Sequence, residues 1–483
     1  MVLGKPFIHL FKTPGGYYLF DVNTNSILNI DSKTYHRLED ILSGKCDINC
    51  IEEYADIAVL RKNGYLLDKK VTEVAHPVND LLQYYLEKKV EMATLQVTRN
   101  CNLRCSYCTY SGKYFNRNHE NKSMSFEIAK KGIDFLINHS SDCEQIHLGF
   151  YGGEPLLEFD LIKRCIEYAQ EKSEGKKITF GATTNGTLLN EEIIDYFVEH
   201  DLSLTVSLDG NKEAHDKNRK FAVNGKGSFD IIIKNLEMIK LKYPEYIKNV
   251  LISIVMDSEN DFGCITDFFS SCDIIEDSLL RSTYVSDNYM KDSYKIEEKF
   301  NIMRNYEYFK MYLSKIKRLS ENSVSKLVSS EYQMLKGKMH DHWNRTKNLG
   351  DKCHPGGPCI AGTQRLFINV NGDMFPCERV SETSDVMKIG NIDDGFDLNK
   401  VRDIVNIGQI SAENCKKCWA FMHCQLCAAS ADDLTKFSTT KKTSACANVR
   451  RYIEEQFKNY CVLRELGHDF GENSIPILDF LTT

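Results

Sequence analysis

Three cysteines stand close together in Cys101-Asn-Leu-Arg-Cys105-Ser-Tyr-Cys108, a C-x3-C-x2-C spacing. Thiolate is the usual ligand of iron–sulfur clusters, and three thiolates on one short loop suit three corners of a cubane. No fourth cysteine follows nearby, so one iron is left open, as in a catalytic centre rather than a purely structural one. A second cysteine-rich stretch runs Cys353-x5-Cys359, then Cys377 after Gly372, then Cys415-x2-Cys418-x5-Cys424-x2-Cys427, and finally Cys446. Paired C-x2-C units often hold zinc, but the pairs of a zinc ribbon lie about 15–20 residues apart. Only five residues separate these.

The chain around them has 483 residues, 61 basic against 68 acidic side chains, and 18 cysteines in all. A 42% apolar and 11% aromatic composition excludes a disordered or low-complexity chain. The charge of −7 leaves no basic footprint for nucleic acid or a membrane surface. No apolar run approaches the ~18 residues of a membrane span, and Lys5, Pro6, His9 and Lys12 break the N-terminus as a signal peptide. The expectation is a cytoplasmic protein, where disulfides are disfavoured and cysteines point to metal or catalysis.

Five segments are expected to position these groups. Residues 1–85 read as a small module, with short strands at Phe7–Lys12, Tyr17–Asp21 and Ser26–Ile30, turns between them, and helices after Asp31 and before Asn63-Gly64. Such a hairpin leaves an exposed edge that can take up a peptide as an extra strand. Residues 91–285 alternate strands (Thr94–Thr98, Ile146–Tyr151, Ile178–Thr184, Leu204–Leu208, Val250–Val255, Leu279–Val285) with amphipathic helices. That pattern is α/β with parallel strands, two units short of a closed eight-stranded barrel. Residues 286–350 form a helical bridge, 351–461 the cysteine-rich section and 462–483 a C-terminal tail.

The first cysteine loop resembles the radical S-adenosylmethionine (SAM) signature, including the aromatic Tyr107 before its last cysteine. Gly152-Gly153-Glu154-Pro155 after the second barrel strand is similar to the GGEP motif of that family, and Thr183-Thr184-Asn185-Gly186 and Ser207-Leu208-Asp209-Gly210 close the next two strands. The resemblance implies a partial (β/α)6 TIM-like barrel whose open iron is chelated by SAM and whose reduced cluster yields a 5′-deoxyadenosyl radical. Cys101, Cys105 and Cys108 then carry the chemistry. Tyr107, Gly152, Gly153, Glu154, Asn185, Ser207 and Arg219 are then expected to line the SAM site, with Glu154 and backbone carbonyls accepting from the SAM ammonium group and Arg219 pairing with its carboxylate or else forming a structural ion pair.

The second cysteine stretch resembles the SPASM domain of radical SAM maturases, with x2 rather than the commoner x3 between Cys424 and Cys427. That resemblance implies two auxiliary 4Fe–4S clusters, on Cys353, Cys359, Cys377 and Cys427 and on Cys415, Cys418, Cys424 and Cys446, making three clusters in all. Without Cys353 the first auxiliary cluster keeps an open iron. Cys46, Cys50, Cys143, Cys165, Cys264, Cys272 and Cys461 are expected to be ordinary buried thiols. The N-terminal module is similar in pattern to the PqqD-like element, winged-helix-like, that binds the leader of a ribosomally made precursor peptide. Together these imply a peptide maturase resembling the thioether-forming sactipeptide and ranthipeptide synthases, served by an electron donor such as flavodoxin or ferredoxin. A sulfatase-type formylglycine maturase and a carbon–carbon crosslinking or epimerising enzyme are the alternatives.

Overall fold

The structure is a computed structural model that describes residues 4–46, 54–115, 117–173, 175–292, 294–341, 348–356, 359–471 and 478–479. Cys50 lies outside them.

The N-terminal strands β1 (Ile8–Lys12), β2 (Tyr17–Asp21) and β3 (Ser26–Ile30) form an antiparallel meander. Asn25 turns the second hairpin at a φ of 51°, a left-handed position that asparagine tolerates. The period-two alternation of the strands divides their side chains between two cores. Leu19, Leu28 and Ile30 pack on Leu38, Ile41, Ile57 and Leu60 from the helices Ser32–Ser43 and Ala55–Lys62. Phe11, Tyr18, Phe20 and Ile27 join the main core of the molecule. The module is therefore not free-standing: Phe11 and Phe20 lie 5.9 and 4.9 Å from the Phe457 ring on the helix Cys446–Glu465, and His9 stacks on Trp419 at 3.7 Å.

After β4 (Glu73–Val74), six parallel strands follow: β5 (Met92–Thr98), β6 (Gln145–Gly152), β7 (Lys177–Thr184), β8 (Ser203–Ser207), β9 (Leu251–Met256) and β10 (Leu279–Tyr284). They lie side by side in chain order, and helices cross between them. Ser125, Asn190 and Asp261 cap three of those helices by accepting from their first-turn N–H groups. Segment 286–350 carries the helices Glu298–Lys315 and Ser329–Lys336. Among the described residues no helix is long and apolar enough to cross a membrane.

The sheet does not close on itself. β5 pairs instead with β12 (Leu366–Ile368), and the sheet runs on through β13 (Asp373–Phe375), β14 (Gly390–Asn391) and β15 (Gly395–Phe396). The cysteine-rich section thus continues the barrel sheet beyond its first strand. β11 (Lys352–Cys353) pairs with β4, tying the start of that section to the chain just before the barrel.

The chain itself covers one side of the N-terminal sheet, while β1 ends it on the other. Its β3 edge is not open, because β16 (Leu478–Asp479) runs parallel to it, with Leu478 opposite Leu28 and Asp479 opposite Asn29. Backbone N–H and C=O groups on an edge strand seek a partner, and here the chain supplies one. Among the cysteines expected to be buried, Cys165 and Cys461 are, Cys46, Cys143 and Cys272 are half-buried, and Cys264 is exposed.

Candidate active site

The loop after β5 carries Cys101, Cys105 and Cys108 and is anchored at both flanks. Arg104 N–H donates to the Lys220 carbonyl at 2.8 Å, Ser106 N–H to Asn218 at 3.1 Å, and Ala222 N–H to Asn102 at 2.8 Å. Within the loop, Leu103 N–H donates to Cys101 Sγ at 3.3 Å and Tyr110 N–H to Cys108 Sγ at 3.4 Å. Such bonds favour thiolate. Burial pushes the Cys101 and Cys105 thiols up to about 12 and raises Cys108, and each of the first two also feels its neighbour thiols. Arg104, Arg117 and Arg219 stand near enough to favour thiolate, and an all-sulfur set of this kind fits an iron–sulfur cluster, whose cations draw the protons off.

The end of β6 presses directly on this loop. Gly153 N–H donates to the Thr98 carbonyl and Glu154 N–H to Asn100, both at 2.9 Å. A Cβ on Gly152, whose φ is 151°, would sit 2.2 Å from the Thr98 oxygen, and one on Gly153 2.1 Å from the Asn100 oxygen. Both glycines therefore serve close approach to the cysteine loop.

Glu154 is fully buried, and its carboxylate is occupied within the protein. It accepts from Leu156 N–H at 3.0 Å, Thr184 Oγ1 at 2.6 Å and Asn185 N–H at 2.7 Å. Burial nevertheless pushes it up to about 7. Glu154 thus ties the end of β6 to the end of β7. It positions Asn185, whose Nδ2 donates to Asn102 Oδ1 at 2.8 Å and lies 3.9 Å from Cys101 Sγ.

At the end of β8, Ser207 is half-buried opposite Ser253. Two residues on, Asp209 is buried and organises the site. It accepts from Arg219 Nε at 2.8 Å, Arg219 Nη2 at 3.2 Å and Val255 N–H at 3.0 Å, and from the Tyr107 hydroxyl. Burial alone would raise the Asp209 carboxyl, but the Arg219 guanidinium outweighs it and holds the group below its usual range. Of the two readings of Arg219, the structure displays the ion pair, with the guanidinium 5.5 Å from the Tyr107 ring. His215 supports the pair: its Nδ1 accepts from Asp209 N–H at 3.2 Å, and its Nε2 lies 3.0 Å from Ser228 Oγ. Asp209 belongs to the Ser-Leu-Asp-Gly turn noted in the sequence, yet only the fold reveals its partners.

A buried polar network joins the barrel to the cysteine-rich section. Gln96, on β5, donates to Tyr110 Oη at 2.8 Å and to Glu382 Oε1 at 2.6 Å, and its Oε1 accepts from Val370 N–H at 3.1 Å. Glu382 also pairs with Arg99 at 2.7 Å and with Arg117. Arg117 Nη2 donates to the Glu378 and Val380 carbonyls. This fixes the segment after Cys377 against the loop that carries Cys108.

Cys377 follows β13, and its thiol, raised by burial to about 11, feels Cys359 and Cys427. Burial raises the Cys418 and Cys424 thiols, Cys418 feels Cys415, and Cys424 feels both; Ser411 Oγ lies 3.3 Å from Cys415 Sγ. Gly356, at a φ of 62°, packs so closely on the Cys424 carbonyl that a Cβ would overlap it, which brings the loop between Cys353 and Cys359 against the Cys418–Cys424 turn. Cys353 sits on β11 opposite Val74, and Cys446 opens the helix Cys446–Glu465. Among the described residues no three His, Cys, Asp or Glu side chains meet at single-ion distances.

Comparison with known proteins agrees with this arrangement. The radical SAM superfamily model matches residues 95–263, and the SPASM iron–sulfur cluster-binding domain model matches residues 359–427, leaving Cys353 and Cys446 outside the match. An uncharacterised protein of Methanocaldococcus jannaschii is 30% identical over 311 residues, covering 64% of this chain and 90% of that protein. The cysteine-type anaerobic sulfatase-maturating enzyme of Clostridium perfringens strain 13 is 25% identical over 369 residues, 74% of this chain and 93% of the enzyme. The solved structure of native anSMEcpe with bound AdoMet and Cp18Cys peptide shares the fold with a TM-score of 0.57 at 20% identity, over 78% of this chain and 99% of that one. The chain belongs to the radical SAM superfamily, as a SPASM-bearing member related to sulfatase maturases.

Proposed function

We propose that the protein matures a ribosomally made, cysteine-rich precursor peptide by joining cysteine sulfurs to carbon as thioethers. Its cofactors in this reading are SAM and three 4Fe–4S clusters: one on Cys101, Cys105 and Cys108, one on Cys359, Cys377 and Cys427 with Cys353, and one on Cys415, Cys418, Cys424 and Cys446. When bound, SAM and the clusters supply a carbon-centred radical and an acceptor for the second electron that leaves the substrate. The protein's own residues hold the geometry: Glu154 sets Asn185 beside Cys101, Asp209 and Arg219 set Tyr107, and Gln96 and Glu382 clamp the segment after Cys377 to the barrel mouth.

The observation that carries the reading is the N-terminal sheet seated on the cysteine-rich section. About a fifth of this chain lies outside its match to the sulfatase-maturase fold. A sheet with an edge is the means by which proteins take up an extended peptide, and this one reaches the Cys415–Cys427 turn through His9 on Trp419 and Asn25 on His423 at 2.9 Å. In this reading the precursor leader displaces β16 from β3.

The sulfatase-maturating relatives favour a second reading, oxidation of a cysteine to formylglycine. The two are separated by mass spectrometry of a cysteine-rich precursor peptide after anaerobic incubation with reduced enzyme and SAM. Thioether formation removes one hydrogen pair per crosslink, keeps the sulfur and blocks alkylation. Formylglycine formation replaces the sulfur by oxygen and also removes one hydrogen pair, leaving an aldehyde and no thiol.

A further inference from the structure

The short helix Thr439–Ser444 buries one of its residues, and that residue is a lysine. Lys442 is 3% exposed, although lysine is almost never buried without a partner of opposite charge. Among the described residues its ammonium group meets Ser411 Oγ at 2.7 Å and Cys415 Sγ at 4.0 Å, and no carboxylate pairs with it. Ser411, itself buried, lies 3.3 Å from the same sulfur. Taking an ammonium group out of water is costly unless an anion offsets it. The anion at hand is the Cys415 sulfur, which stands with Cys418, Cys424 and Cys446 in the second auxiliary set of the maturase reading.

Chemistry fixes the direction of these hydrogen bonds. An ammonium group only donates, so the Ser411 oxygen accepts from Lys442 and its own proton is free for another acceptor. A cysteine that binds iron is a thiolate with no proton to give, so Cys415 Sγ is that acceptor. Lys442, Ser411 and Cys415 thus form a donor chain with a full positive charge at its far end. Further contacts hold the chain in place. Lys442 N–H donates to the Ser438 carbonyl at 3.1 Å, and Thr439 Oγ1 donates to the Ile410 carbonyl at 2.8 Å, which pins the lysine helix to the turn Ile407–Ser411. Ser411 leads directly into the helix that ends at Cys415, and the lysine helix leads into Cys446.

Four thiolates leave a cubane negatively charged, and its reduction adds one further negative charge. A fixed cation and a hydrogen bond at one sulfur stabilise the reduced form more than the oxidised form, which raises the reduction potential. We propose that Lys442, acting through Ser411, is a positioning residue that raises the potential of the cluster on Cys415, Cys418, Cys424 and Cys446. This rests on the cluster assignment of the maturase reading and deepens it, because a raised potential makes that cluster a better electron acceptor.

The test is a potentiometric titration with dithionite and viologen mediators, followed by electron paramagnetic resonance, of full-length enzyme carrying about twelve irons, the content of three cubanes. The signal that changes when SAM is added belongs to the cluster on Cys101, Cys105 and Cys108, and the remaining two are auxiliary. In Lys442→Met one auxiliary cluster is expected to become harder to reduce. Its reduced-to-oxidised ratio at the native midpoint should fall about tenfold, which is about 59 mV for a one-electron couple. The other two midpoints should stay in place. Lys442→Arg should keep most of the native value, and Ser411→Ala should shift the same cluster the same way by a smaller amount. An unchanged midpoint in Lys442→Met, an upward shift, or equal shifts in all three clusters would overturn the proposal, as would a native enzyme with a single auxiliary signal. If Lys442→Met loses the iron of one auxiliary cluster, Ser411→Ala decides: a downward shift of that cluster keeps the proposal, and an unchanged midpoint overturns it. The expected shift in an enzyme that leaves the precursor peptide unchanged would keep the proposal and remove the maturase reading. Peptide conversion with unshifted midpoints would do the reverse.

Discussion

Arg219 grips Asp209 through two hydrogen bonds, Nε to Oδ2 at 2.8 Å and Nη2 to Oδ1 at 3.2 Å, and the same carboxylate receives the hydroxyl of Tyr107 from the cysteine loop. One buried ion pair thus connects the end of β8, the segment that anchors the loop, and the residue before Cys108. Breaking such a pair from one side leaves a charge buried without its partner, at a cost of about 3–5 kcal/mol. Asp209→Asn is therefore expected to destabilise strongly and to lower SAM cleavage. The double variant Asp209→Asn/Arg219→Gln should recover part of the stability, read as non-additivity in a denaturant double-mutant cycle. Additive losses would show that the two residues act separately.

His215 adds a pH dependence. Burial pushes it down from 6.5 to about 3, with the Asp209 charge opposing and Arg219 assisting. Between those values the unfolded chain holds a proton that the folded chain does not, so its contribution to stability is present above pH 6.5 and falls away as pH falls toward 3. From pH 7.5 to pH 5 the loss is about 2 kcal/mol. Urea midpoints at the two pH values should show it in the native sequence, and His215→Gln should flatten the slope whatever its effect on the absolute level.

The cysteine sets are expected to load independently. With Cys101, Cys105 and Cys108 replaced by alanine, SAM cleavage should vanish while about eight irons per chain remain, the content of two cubanes. Loss of all iron in that variant would contradict three separate sites.

The β16 strand makes a prediction about the leader. Leu478 and Asp479 occupy the β3 edge opposite Leu28 and Asn29. Truncation after Gly471 should free that edge and tighten leader binding several-fold, measured by fluorescence anisotropy with the precursor leader. An unchanged or weaker affinity would place the leader elsewhere.

The barrel was legible because each of its strands is a short apolar run followed by a helix-period segment, so periodicity alone marks six units and leaves the sheet open. The cysteine loop and the Gly152-Gly153-Glu154 turn were legible from spacing. Relationships spanning hundreds of residues were not. Nothing local in Leu366–Ile368 states that it pairs with Ala93–Leu95, and nothing in Leu478–Asp479 marks it as the partner of β3. The link that Glu154 makes from β6 to Thr184 and Asn185 on β7 was not legible either, because its three hydrogen-bond donors come from the fold around it. Asp209 was visible only as a turn residue. Its part in the site depends on Arg219 ten positions away and Tyr107 a hundred away, and sequence pattern does not encode such convergence.

The central claim is that a hydrogen is removed from a carbon of a peptide that then takes a cysteine sulfur. It is tested most directly with a precursor deuterated at its non-cysteine residues, incubated anaerobically with reduced enzyme and SAM. The account predicts deuterium in the released 5′-deoxyadenosine, only when peptide is present, together with a peptide that has lost one hydrogen pair per crosslink and resists alkylation. Unlabelled 5′-deoxyadenosine and an unchanged peptide, from enzyme with its full complement of iron, would contradict it.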